Sequence, residues 1–304
     1  MYRYNVIMDL HPYAFVPERD AERLLCFLET IRHEHPDDYP GVNDLRELLA
    51  RPGIAADVRL WLAESGALVA FAVADPFNNL LAEGSPGVLD IVLLREMVEW
   101  AADRLRHRTA VGETPPALDA SCRAQDATRI SLFEQAGFHQ QSLRSLKFRR
   151  DLKQDIPAFS LPTAYSIRPI EGEHEYPAWV VLHRAAFDTD LMSLEERAAM
   201  AHNPGYDRAL DLVCVAAEDS LAGYCFCGVE DGLGFTDPVA VHPAHQRRGL
   251  ATALLLGGLK ALKQKGVAVV EMGTSSQNAG MIAAALKTGF VLESEKIWFS
   301  RLVM

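Results

Sequence analysis

The chain has 304 residues, 49% of them apolar and 23% charged, with a formal net charge of −11. That length builds a core without disulfides or a structural metal and holds one large domain or two of average size. The acidic balance argues against nucleic acid or an anionic membrane as the main partner, and the apolar run at 67–74 is far too short to span a bilayer.

In chain order, Arg3 is followed by Asp9, His11 and Pro12 with no long apolar stretch, so no secretory leader is expected and the protein reads as cytoplasmic. The polar cluster His33-Glu34-His35 and Asp37-Asp38 reads as a loop rather than a metal site. Val58–Ala63, Glu64-Ser65-Gly66 and Ala67–Ala74 form a strand, turn and strand, the usual hairpin signal. Around Asp90 to Val98 an apolar run (DIVLLREMV) leads into a helix. Asp126-Ala127, Ile130 and Gly137-Phe138 follow, and Arg149 ends an apolar strand. The stretch Asp151 to Thr163 (DLKQDIPAFSLPT) has two prolines and no period, which predicts a linker.

After it come a strand at 165–169, helices near 178–187 and 193–202, and strands at about 211–217, 221–229 and 234–241. A helix is predicted from about 249 to 265, with Leu250, Leu254, Ala261 and Leu262 on one stripe. The strand Val267–Met272, a helix at about 279–287 and a last strand near 297–303 complete the chain. The second half repeats the first. Asn278-Ala279, Ile282, Gly289-Phe290 and Arg301 all lie at the single offset that separates Asn278 from Asp126. The hairpin recurs as Leu212–Ala217, Glu218-Asp219-Ser220 and Leu221–Val229. Duplication of an α/β (α+β mixed sheet) unit with helices on both faces is therefore expected.

Cys26, Cys122, Cys214, Cys225 and Cys227 are scattered and odd in number, as reduced thiols in a reducing compartment are. Cys225 and Cys227 share a strand face, but two ligands fall short of the four of a closed site. No metal is expected.

The chemistry concentrates in FTDPVAVHPAHQRRGLA, residues 235–251. A strand passes through a short loop into a helix, whose unpaired first N–H groups and dipole make an anion site. Gly249 permits close approach, and Arg247 and Arg248 add positive charge. The glycine spacing is neither that of a dinucleotide fingerprint nor that of a P-loop.

The segment from Val241 to Ala251 resembles the coenzyme A loop of the GNAT acetyltransferases, whose core pattern is Q/R-x-x-G-x-G/A. The following helix, strand, Asn-opened helix and Gly-Phe also match, over roughly residues 164–304. The resemblance implies two tandem GNAT-like domains: 1–153, degenerate and without a pyrophosphate loop, and 164–304, binding acetyl-CoA as co-substrate, joined by a linker at 154–163. It implies that the N–H groups of Gln246, Arg247, Arg248, Gly249, Leu250 and Ala251, with Thr252 beside them, hold the pyrophosphate. The strand edge Val239, Ala240 and Val241 would pair with the pantetheine arm, an N–H near Val241 would bond the thioester carbonyl, and Asn278 would contact the arm from the far side.

Two positions depart from the family. The tyrosine that acts as general acid in many members is Ala285 here, and the base is unspecified. Asp237 is the candidate base, with a free carboxyl pKa near ~3.9 that requires raising or a water relay. Glu230 and His242 are weaker candidates. The implied activity is transfer of an acetyl group to the amine of a small molecule, with amino sugars and aminothiols in the class. No nucleic-acid or membrane partner is implied, and a homodimer is admitted. The alternative is a non-catalytic acyl-CoA-binding sensor or interaction module that kept the loop and lost the acid.

Overall fold

The computed structural model describes residues 10–33, 40–110 and 112–303. Glu34, His35, Asp37 and Asp38 of the polar cluster lie outside them. The chain forms two compact units, one of residues through Arg144 together with Lys296 onward, the other Ser145–Glu295.

In the first unit, strands β1 (His11–Ala14), β2 (Val58–Leu62), β3 (Leu68–Ala74) and β4 (Leu80–Gly84) form an antiparallel sheet in that order. Helices α1 (Pro17–Ile31) and α2 (Val42–Leu49) cover one face through Leu24, Leu28 and Leu45 against Phe71 and Leu60. Helix α3 (Ile91–Arg108) covers the other through Leu94, Met97 and Val98. Strand β5 (Leu118–Arg123) meets the end of β4 at one parallel bridge, Asn79 to Asp119, and helix α4 (Ala127–Gln135) follows it.

The next strand, β6 (His139–Asp151), runs across the division between the units. The second unit then adds β7 (Tyr165–Pro169), α5 (Tyr176–Phe187), α6 (Leu194–His202), β8 (Asp211–Ala216), β9 (Leu221–Glu230) and β10 (Leu233–Val241). Helix α7 (Leu250–Gln264), β11 (Val269–Ser275), α8 (Ala279–Lys287) and β12 (Val291–Arg301) complete it. Strands β7 to β10 are antiparallel neighbours, β11 lies parallel to β10, and residues 145–151 of β6 pair antiparallel with β11. Residues 296–301 of β12 pair with β5 in the first unit. Each unit thus closes its sheet with the strand that the other half of the sequence supplies.

The mixed sheets with flanking helices match the expected class. Strand β7 and helix α8 fall on the predicted residues. Strand β12 begins six residues before the expected 297. Its first turn of sequence, VLESE, is polar because Glu293 pairs with Arg149 (2.9 Å) and Lys147 (3.4 Å), so the apolar alternation that marks a strand is absent there. Strand β11 runs on to Ser275 because Ser145 of β6 pairs with it.

Two apolar layers sandwich the second sheet. Leu250, Leu254, Leu255, Leu259 and Leu262 of α7 pack on Cys225, Cys227 and Val270. Trp179, Val180 and Leu182 of α5 pack on Val213, Val215, Tyr224 and Ala240. Each fully buried side chain of this size contributes roughly 1.5–3 kcal/mol relative to exposure. No helix among the described residues is long and apolar enough to cross a membrane.

Candidate active site

Strands β10 and β11 are paired only at Gly234↔Val270 and Phe235↔Glu271. Beyond Phe235 they separate, while β10 stays paired to β9 through Val241. His242 N–H donates to Ala222 O (2.9 Å), so by the alternation of an antiparallel strand the N–H and C=O groups of Val241 and Val239 point to the open side. A cavity of about 740 Å³ fills the opening. Its walls are β10, the loop into α7, α8, and the end of α5 at Ala186 and Phe187.

The loop is shaped by its backbone. Arg247 and Gly249 have φ of 60° and 81°. Gly249 is the N-cap of α7, without a side-chain cap, and no protein atom stands within 4 Å of where its Cβ would be. Among the described residues, no N–H of residues 247–252 donates to a protein acceptor. A run of unsatisfied N–H groups at a helix start, beside an arginine, is complementary to a phosphate anion.

Val239, Ala240, Val241, Gln246, Arg247, Gly249, Leu250, Ala251, Thr252 and Asn278 all line this cavity. The side chain of Arg248 does not. It donates to Tyr165 Oη (3.0 Å) and Ala244 O (3.4 Å), and Tyr165 Oη also contacts His245 Nδ1 (3.0 Å). Burial, with the Arg248 charge adding, holds the His245 pKa below its ordinary value, so neutral Nδ1 can accept the Tyr165 proton. Arg248 therefore ties the loop to β7 and is not among the residues that line the cavity. Gln246 Nε2 donates to Val241 O (3.2 Å). Asn278 Oδ1 accepts from Met281 N–H (3.1 Å), capping α8 and leaving its NH₂ group for a ligand.

Asp237 stands where β10 and β11 part. It and Pro238 form a bulge opposite Phe226, between the pairs Thr236↔Cys227 and Val239↔Cys225. Asp237 Oδ2 reaches to 3.6 Å from where a Cβ on Gly273 of β11 would be. The carboxyl has accessible surface, yet protein crowds its other sides, and this desolvation pushes its pKa up to about 6. An accessible carboxylate of that pKa suits proton acceptance near neutrality.

Of the weaker candidates, His242 Nδ1 accepts from Ala244 N–H (3.2 Å), closing the turn before the loop. Glu230 lies at the β9–β10 turn, away from the place where β10 and β11 part; like Asp237, it is not among the residues that line the cavity. Ala285 is fully buried in the α7 layer and does not line the cavity either. Among the described residues no group of three or more His, Cys, Asp or Glu side chains is arranged for a metal ion. The Sγ atoms of Cys225 and Cys227 touch each other at 3.4 Å in the core.

His183 was not among the candidates read from the sequence. Its Nδ1 lies 2.7 Å from Tyr224 Oη, and its ring packs between Trp179 (5.2 Å) and Phe187 (4.7 Å). Burial lowers the His183 pKa. Burial first, then the nearby Asp237 charge, raises that of Tyr224. A detectable signal was the spacing of Trp179, His183 and Phe187 four residues apart on one helix face.

In the first unit the corresponding groups are satisfied from within. Asp90 caps α3 by accepting from Leu93 N–H (2.9 Å). Arg129 donates to Ala82 O of β4 and to Glu83 (3.0 Å), and Arg32 donates to Glu83 (2.8 Å). A carboxylate occupies the helix start that an anion would need, and an arginine takes up one carbonyl of β4.

Residues 176–290 match the model of the Acetyltransferase (GNAT) family. A mycothiol acetyltransferase from Kineococcus radiotolerans is 30% identical over 230 residues, covering 71% of this chain and 72% of that protein. The chain belongs to the GNAT acetyltransferase family. A mycothiol acetyltransferase from Renibacterium salmoninarum is 27% identical over 184 residues, and the match spans about half of each protein, 57% of this chain and 54% of that relative. A GCN5-related N-acetyltransferase from Sphaerobacter thermophilus superposes with a TM-score of 0.80 at 20% identity, covering 97% and 96% of the two chains. A tandem GNAT protein from the clavulanic acid biosynthesis pathway superposes with a TM-score of 0.71 at 19% identity, covering 97% and 99%. The tandem GNAT fold is thus shared over nearly the whole chain. GNAT acetyltransferases generally use acetyl-CoA.

Proposed function

We propose that the second unit transfers the acetyl group of acetyl-CoA to the amine of a small molecule by direct attack. The observation that carries this reading is the run of unpaired N–H groups at 247–252 opening into the cavity, with Asp237 at the point where β10 and β11 part. The loop and the start of α7 hold the pyrophosphate. The open edge of β10 pairs with the pantetheine amides, and the NH₂ group of Asn278 closes on them from α8.

Val241 N–H bonds the thioester carbonyl oxygen and stabilises the negative charge that develops there. The amine lone pair attacks the carbonyl carbon, the C–N bond forms and the C–S bond breaks with its electron pair on sulfur. Asp237 takes the proton lost by the amine. The thiolate takes a proton from solvent, since position 285 offers only a methyl group. The relatives' names put mycothiol-related amines among the acceptors to be tried. We place the two domains near the limits read from sequence, with the last strands exchanged, and assign cofactor binding to the second alone.

Thiol release from acetyl-CoA over a panel of primary amines tests the reading. Turnover with at least one amine, lowered 100-fold or more in Asp237→Asn as expected for loss of a general base, supports it. A second reading, acyl-CoA binding without turnover, is favoured by Ala285 alone. Cofactor binding with no thiol release for any amine would establish it instead.

A further inference from the structure

Side chains alternate along β9. Cys225 and Cys227 face α7, so Tyr224, Phe226 and Gly228 face the opposite side, where α5 packs on Tyr224 and its cross-strand partner Ala240. Farther along this face the rings of Phe226 and Phe235 are only half-buried. A Cβ on Gly228 would stand 2.1 Å from Phe235 Cζ, so the Phe235 ring lies across the bare backbone of its cross-strand partner, a position only glycine allows. Phe226 lies 6.4 Å from Phe235 at 32°, and half-buried Tyr206 stacks on Phe226 at 6.1 Å and 25°.

The surface is fixed from beneath. Tyr206 Oη donates to Asp211 Oδ2 (2.9 Å), and Asp211, fully buried, is paired with fully buried Arg197. The Arg197 guanidinium lies over the rings of Tyr176 (4.4 Å) and Trp179 (4.7 Å). Asp237 borders this surface: it sits two residues beyond Phe235 and, in the bulge, opposite Phe226.

Resting on the acetyltransferase reading, we propose that the acceptor is a primary amine carried on a ring, which stacks on the shelf of Tyr206, Phe226 and Phe235 and so presents its nitrogen to Asp237. An aromatic face attracts both the apolar face of a ring and a cationic nitrogen beside it, and the neighbouring carboxylate complements the ammonium before its proton is lost. An aryl group and a sugar ring share this chemistry, while a linear alkyl chain lacks the flat face.

The test is kcat/KM for 2-phenylethylamine, glucosamine and n-hexylamine with the full chain at saturating acetyl-CoA, in the parent and in Phe235→Leu and Phe226→Leu. At least one ring amine should exceed hexylamine by about tenfold, the effect of one aromatic contact. Either variant should bring that ratio to within about twofold, with KM for acetyl-CoA unchanged. Equal use of hexylamine by the parent overturns the proposal, as does a ratio unchanged in a variant that binds acetyl-CoA normally. An equal loss for all three amines, the sign of general damage, overturns it too. Failure of the underlying reading looks different: acetyl-CoA binds and no amine releases thiol, which removes the acceptor and the shelf's role together.

Discussion

Replacing Tyr165 by Phe removes one oxygen and keeps the ring that meets His245 edge-on at 5.8 Å. That oxygen accepts from Arg248 and contacts His245, so the change releases the arginine that ties the loop before α7 to β7. A hydrogen bond to a charged group contributes about 1.5–3 kcal/mol. Arg248 is exposed, which reduces this to roughly 1 kcal/mol, or about fivefold in Kd. Isothermal titration with acetyl-CoA should show that weakening, while kcat at saturating cofactor stays at the parent value. Arg248→Ala should weaken binding by at least as much, and Tyr165→Phe/Arg248→Ala no further than Arg248→Ala alone, because the two side chains act through one contact. Parent affinity in Tyr165→Phe, or effects that multiply in the double variant, would refute the tether and point to a direct contact between Arg248 and phosphate.

With the Asp237 pKa near 6, the carboxylate form that accepts a proton is lost as pH falls through that value. The pH profile of kcat/KM should therefore fall on the acid side with a midpoint near 6, and Asp237→Asn should abolish that limb along with most activity. Because Asp90 already places a carboxylate at the start of α3 in the first unit, titration should give one acetyl-CoA per chain, and Gly249→Asp should bring that to zero. Arg197→Met leaves Asp211 buried without its guanidinium and should cost about 3–5 kcal/mol by chemical denaturation. Burial already holds the Asp211 carboxyl above its ordinary pKa despite Arg197, so desolvation outweighs the pairing and Arg197→Met/Asp211→Leu should recover most of the loss.

What the sequence reveals and what it hides divide by distance along the chain. The strand–loop–helix junction at 235–251 was legible because strand, turn glycine and helix start are consecutive, and the chemistry of a helix N-terminus is local. Helix α8 was legible because Asn278 caps it and Gly289 ends it. The contacts that fix the site join distant residues: Tyr165 with Arg248, 83 apart, and His183 with Tyr224, 41 apart. Arg197 and Asp211 are only 14 apart, yet a charged residue on a short helix reads as solvated until β8 is seen beneath it. Arg248 illustrates the limit. Its place in the motif suggested positive charge added to the anion site, and only the fold shows the guanidinium turned toward β7. The exchange of β6 and β12 was hidden for a related reason. Each strand continues its own half in sequence, and nothing in its residues states which sheet its end will join.

The most direct test of the central claim is thermal unfolding with and without acetyl-CoA, in the parent and in Gly249→Asp. The new Cβ meets no atom within 4 Å beyond its own chain neighbours and helix backbone, but φ of 81° strains any residue other than glycine there, so each protein's unliganded Tm is its own baseline and the carboxylate repels an anion at the helix start. At a hundredfold excess over Kd, a ligand that binds only the folded state stabilises it by about 2.7 kcal/mol. The account predicts a rise in the apparent Tm of the parent and none in the variant. An equal rise in both would place the cofactor elsewhere, and no rise in the parent at saturating acetyl-CoA would contradict the claim that this loop holds it.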